Sequence, residues 1–206
     1  MRWRPDVAKT PDGVLFQVLE LSRMWEADDV REYVINQLDR RRVSIRPVQL
    51  ISIAKEYKIR TLFTYAFARL VKSRLDDLTA NEYKMMDGET WAAVLKAQSV
   101  IRTHRGIVGC EEPPMVHAPA CVGPEDCSLD WKQLWWNQMG RFLFDGRNPQ
   151  PYKDAVQRFE EVGAIRRVSQ ECWRSMMITV RAGLAFQKED MFIERTAKRE
   201  ADQLLL

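Results

Sequence analysis

LFQVLELSRMWEADDVREYVINQL, residues 15–38, is the stretch that decides the fold class. Leu15, Val18, Leu19, Ser22 and Trp25 recur at the spacing of one helix face, and Val30, Tyr33, Val34 and Leu38 at that of a second. Neither apolar stripe is stable in water alone, so the two predict a packed helical hairpin. Asp28 and Asp29 stand where the second helix begins. Carboxylates there accept from the first free amides and meet the positive end of the helix dipole.

The same periodicity extends outward. Pro47 opens a helix ending near Tyr57, because the missing N–H of proline is harmless in a first turn. From Ile59, residues Leu62, Phe63, Ala66, Phe67, Leu70 and Val71 mark the best-patterned helix in the chain. Thr79 and Glu82 have the spacing of a capping box. A helix from Glu89 to about His104 would bury Trp91, Val94, Leu95, Gln98 and Ile101, with Gly106 as its stop. Pro113, Pro114, Pro119 and Pro124 then erase the periodicity. Structureless stretches of that length are linkers, functional loops or metal-organised segments.

Ser128 is placed to cap a helix over SLDWKQLWWNQMGRFLF, with Trp131, Leu134, Trp135, Met139, Phe142 and Leu143 on one face. Pro149 and Pro151 break the pattern, and a further helix carries Ala155, Val156, Phe159 and Val162. Ser169 caps another, with Cys172, Trp173, Met176, Met177 and Val180, and a last helix starts near Glu189. No strand-like alternation of useful length occurs. The prediction is an all-α fold: two packed helical lobes, 13–105 and 128–206, joined by a Pro- and Cys-rich loop over 106–127.

Composition narrows the function classes. At 206 residues and 46% hydrophobic, with seven Trp, the chain can bury a substantial core. Its 32 basic and 29 acidic residues nearly cancel, which argues against nucleic acid as partner; the Arg40–Arg42 run sits at a helix end, where cations complement the dipole. No apolar window is long enough to span a membrane, and the opening MRWRPDVAKTPDG lacks the pattern of a secretory signal. The expected location is intracellular, cytoplasmic or nuclear. Four Cys are too few for a disulfide scaffold and read as thiols or metal ligands.

The sharpest chemical constellation is Cys110, His117, Cys121 and Cys127, with Cys172 arriving from a later helix. Zinc takes four thiolate or imidazole donors in a tetrahedron, and His117, Cys121, Cys127 and Cys172 are the set that fits best. The intervening six, three and five residues match no ordinary zinc knuckle, so Cys127 and Cys172 also read as small buried apolar residues. An enzyme is not expected. A Cys nucleophile would have to draw its base from His104 or His117, no phosphate-cradling Gly loop occurs, and the acid pairs sit at helix starts or solvent faces. Trp131 and Trp135 share the core face, whereas Trp136, turned about 100° away by the helix period, is the candidate protein contact.

Taken together, LELSRMWEADDVREYVINQL, PVQLISIAKEYKIRTLFTYAFARLVKSR and LTANEY resemble the helical region that follows the BTB domain in fungal, mushroom-type BTB proteins. HAPACVGPEDCSLDWKQLWWNQMGRFLFDGRNPQPY, Cys172 and GLAFQKEDMFIE resemble the C-terminal part of that region. The resemblance spans about residues 13–200, through the ordered set Trp25, Pro47, Tyr57, Thr79, Cys121, Cys127, Trp131 and Cys172. It implies a non-enzymatic protein–protein interaction module with protein partners. The reading from another class is a zinc-organised regulatory helical module. Fourteen residues precede Leu15, against the hundred or so a BTB domain occupies, so BTB-dependent dimerisation is not carried over.

Overall fold

The computed structural model describes residues 10–145, 152–164 and 167–205, apart from the side chains of 184–187. The protein is all-α, with no strand among the described residues. The helices are α1 (Asp12–Met24), α2 (Asp28–Arg41), α3 (Pro47–Glu56), α4 (Arg60–Lys72), α5 (Ala80–Met85), α6 (Gly88–Cys110), α7 (Pro124–Leu134), α8 (Arg141–Phe144), α9 (Tyr152–Val162), α10 (Gln170–Arg181) and α11 (Leu184–Leu204). A π-helical stretch, Trp135–Gly140, joins α7 to α8. No helix among the described residues is long and apolar enough to cross a membrane. The chain folds into two compact units interleaved along the sequence. The first takes residues 10–70, 78–91 and 197–205; the second takes 71–77 and 92–196, and so contains all of 106–127.

In the first unit α1 packs on α2 through Leu15, Leu19, Val34 and Leu38, while α3 and α4 supply Val48, Ile51, Leu62, Phe63 and Phe67. Ser22 is buried on the α1 face because its hydroxyl donates to the Leu19 carbonyl at 2.7 Å. Trp25 does not join that face and is 72% exposed. It follows the last turn of α1, where Glu26 adopts φ 50° and redirects the chain. Val30 and Tyr33 also face outward from α2, on the shoulder beside the Val34–Leu38 seam. Asp28 and Asp29 lie inside the first turn of α2 behind Ala27 as N-cap, so they act on the dipole rather than as caps.

The capping box is present: Thr79 Oγ1 accepts from the Glu82 amide, and the Glu82 carboxylate accepts from the Thr79 amide at 2.9 Å. Glu82 also takes a two-pronged ion pair from Arg46, Nε and Nη2 each at 2.7 Å, tying the start of α3 to the start of α5.

Three helix boundaries differ from expectation. α6 runs through Gly106 to Cys110, and α7 begins at Pro124, so the irregular stretch is 111–123 rather than 106–127. Neither Gly106 nor Gly109 ends the helix, and Gly109 serves close approach. A Cβ on Gly109 would lie 3.0 Å from the Phe144 ring and 3.5 Å from Gly140 Cα. Pro124 fits the first turn of α7 for the reason that Pro47 fits α3. Leu95 is exposed, since Val94, Ala97 and Ile101 take the buried stripe of α6. α11 starts at Leu184, ahead of the expected Glu189. The break expected at Pro149 and Pro151 lies outside the described residues, as do residues 1–9 of the N-terminal reading.

Arg46 holds the Glu82 carboxyl down to about 2 from an ordinary 4.5, against the opposing effect of burial. A depressed carboxylate stabilises the fold fully above its unfolded value. Stability from this pair is therefore expected to persist above pH 4.5 and to fall as the pH drops toward 2. Arg46→Ala should cost about 1–3 kcal/mol at pH 7 by urea denaturation, and much of that difference should vanish in acid.

Candidate metal centre

The second unit is built on an aromatic core. Trp131, Trp135, Phe159 and Trp173 meet with ring centroids 5.1–6.0 Å apart, several edge to face. Two of the three core indoles donate to backbone carbonyls: Trp131 Nε1 to Pro113 at 3.2 Å and Trp135 Nε1 to Val108 at 3.1 Å. The first of these bonds anchors the 111–123 segment beside α7, and the second ties the end of α6 to the π-helical stretch. The expected face of that helix is buried at Trp131, Leu134, Trp135, Met139 and Leu143.

Segment 111–123 then folds onto the N-terminal ends of α7 and α10. The Val116 amide donates to Met176 Sδ at 3.2 Å, the Ala118 amide to Cys172 Sγ at 3.3 Å, and the Cys121 amide to the Ala118 carbonyl at 2.9 Å. Two of these three amides go to sulfur, a weak acceptor. At the middle of the arrangement, one donor atom each from His117, Cys121, Cys127 and Cys172 lies within 4.8 Å of every other. His117 Nδ1 is 3.5 Å from Cys121 Sγ and 4.0 Å from Cys172 Sγ. Zinc–sulfur bonds of about 2.3 Å and zinc–nitrogen bonds of about 2.0 Å place tetrahedral donors roughly 3.5–3.8 Å apart. The four side chains stand within about 1 Å of that size.

The surroundings orient the donors. His117 Nε2 is 2.9 Å from Ser128 Oγ, so the tautomer protonated at Nε2 donates to the serine and turns the Nδ1 lone pair toward the thiols. Cys172 is the third residue of α10 and Cys127 the fourth of α7, so both sulfurs face the positive end of a helix. Ser169 caps α10, its hydroxyl accepting from the Cys172 amide at 3.1 Å. Burial opposes ionisation of Cys172, but hydrogen bonds at its sulfur, led by Ser169 and the Ala118 amide, outweigh it and bring the thiol well down. Burial raises Cys127, and the negative charge of Cys172 raises it further. Ionisation is thus favoured at Cys172 and opposed at Cys127.

The sequence-predicted set is thus assembled: His117, Cys121, Cys127 and Cys172 converge. Cys110 does not join them and is exposed at the end of α6. The structure adds Ser128, read from the sequence as a helix cap but placed within α7 as the partner of the imidazole, and Met115, whose Sδ is 3.9 Å from Cys127 Sγ. Cys127 and Cys172 are 1% and 0% exposed, whereas Cys121 is half-buried. Trp136 is 55% exposed, packed edge-on against Phe144 with centroids 5.9 Å apart.

Comparison with protein-family models, with curated proteins and with solved structures finds no match.

Ser169 touches both helix-borne thiols' surroundings, so its loss should be felt without any metal. Ser169→Ala is expected to cost about 1 kcal/mol in urea denaturation of chelator-treated protein, and Ser169→Asp to restore most of it.

Proposed function

We propose that the chain is a non-enzymatic helical module organised by a structural zinc ion bound to His117, Cys121, Cys127 and Cys172. The observation that carries this reading is the convergence, within 4.8 Å of one another, of one imidazole and one thiol from a segment with no helix or strand of its own and two thiols from the starts of α7 and α10. Three thiolates and an imidazole suit zinc, and a four-donor set with no open position marks a structural rather than a catalytic ion. A zinc with three thiolates carries net negative charge, which the N-terminal ends of α7 and α10 favour. The ion would fasten 111–123 to two helices, adding the free energy of metal binding to that of folding.

Within the cell such a module would act by presenting a fixed helical surface to other proteins. The resemblance to the helical region of BTB proteins supports that role. So does Trp136, a large aromatic side chain more than half exposed on the same unit. A regulatory use of the metal is compatible with both.

Elemental analysis of protein purified without chelator tests the reading. The expected result is about one zinc per chain, lost together with part of the folded structure when Cys127 and Cys172 are replaced by Ser. A metal-free protein that is fully folded and takes up no added zinc would overturn it. Ser128→Ala, which removes only the partner of the imidazole, should weaken zinc about ten- to a hundredfold in competition with a chromophoric chelator.

A further inference from the structure

We infer that zinc at this centre is released reversibly by peroxide, with Cys121 as the oxidised ligand and Cys172 or Cys127 as the thiol that completes a disulfide. The inference rests on the structural-zinc reading and concerns how that site is regulated. Its basis is an asymmetry among the three sulfurs. Cys127 and Cys172 are enclosed and carried by helices, whereas Cys121 is half-buried and carried by irregular chain. Its nearest backbone tie is a single turn, from its own amide to the Ala118 carbonyl at 2.9 Å. An oxidant from solvent therefore meets Cys121 first, and this residue can shift toward its neighbours with the least disturbance to helices.

The chemistry balances with hydrogen peroxide as the oxidant. The Cys121 thiolate attacks one peroxide oxygen; the O–O bond breaks, and hydroxide leaves and is protonated to water, giving a sulfenic acid. A helix-borne thiolate from the same group, within 4.8 Å, then attacks the Cys121 sulfur. The S–O bond breaks and a second water departs, leaving a disulfide. Two thiolates have lost two electrons and peroxide has become two waters. The remaining thiol and His117 are too few donors to retain zinc, so the ion leaves and the remaining sulfur takes up a proton. A thiol reductant reverses the sequence and rebuilds the site.

The test uses the full zinc-loaded chain treated with hydrogen peroxide. Zinc release is read with a chromophoric chelator, and linkage is read by mass spectrometry of peptides. The expected result is release in step with a disulfide at Cys121, followed by zinc uptake after reduction. Cys110→Ser should release at the parental rate, because Cys110 lies outside the group. Cys121→His keeps a zinc donor that cannot form a disulfide, and should slow release about tenfold or more. Zinc retained while only Cys110 is oxidised would overturn the inference, as would Cys121→His releasing as fast as the parent. Absence of zinc from the untreated, zinc-exposed protein would overturn the structural-zinc reading itself and the inference with it.

Discussion

Backbone amides and carbonyls in 111–123 have to be satisfied without a helix or strand to do it, and the shape of this part of the protein follows from that requirement. An irregular segment placed against a core normally leaves polar groups without partners, at a cost of about 1–3 kcal/mol each. Here the partners are side chains of the helices it covers. The Trp131 indole takes the Pro113 carbonyl, Met176 takes the Val116 amide and Cys172 takes the Ala118 amide. These anchors draw His117 and Cys121 to the ends of α7 and α10, where the other two thiols already stand. The four donors meet because the loop meets its hydrogen-bonding needs there.

Electrostatics act in the same direction. Two helix N-termini and the donors from Ser169 and Ala118 favour negative charge at Cys172, while burial resists it at both helix-borne thiols. Sulfurs so close together cannot all ionise without a positive centre among them. A divalent cation would resolve the conflict between a field that invites thiolates and neighbours that repel one another. In the first unit, Glu82 shows the simpler case: a single guanidinium neutralises a single carboxylate, and no metal is required.

Much of this was legible in the sequence because it depends on local rules. The Thr79–Glu82 box, Pro47 at a helix start, Ser169 as a cap and the stripe from Leu62 to Val71 each follow from spacing alone, and the structure contains all four. The donor set was legible too, through residue type: three Cys and a His beside a Pro-rich stretch leave few other combinations. What the sequence hid was set by partners distant in the chain. Gly106 reads as a helix stop, yet α6 runs past it to Cys110, and it is Gly109 that Phe144 and Gly140 approach closely. Ser128 reads as a cap until His117 is seen beside it. Trp25 fits the α1 stripe by count but lies just past the last residue of α1, against the turn made by Glu26, where the helical period no longer applies.

The order of donors along the chain has a consequence for biosynthesis. His117, Cys121 and Cys127 emerge within a short span, but Cys172 arrives only after α9 and the start of α10 have been made. A nascent chain halted before Gln170 holds three donors and leaves one side of the tetrahedron open to water or to a competing thiol. Full-strength capture of a metal by this set would therefore wait until α10 has left the ribosome and docked, and a bound ion would register that this helix has reached its place.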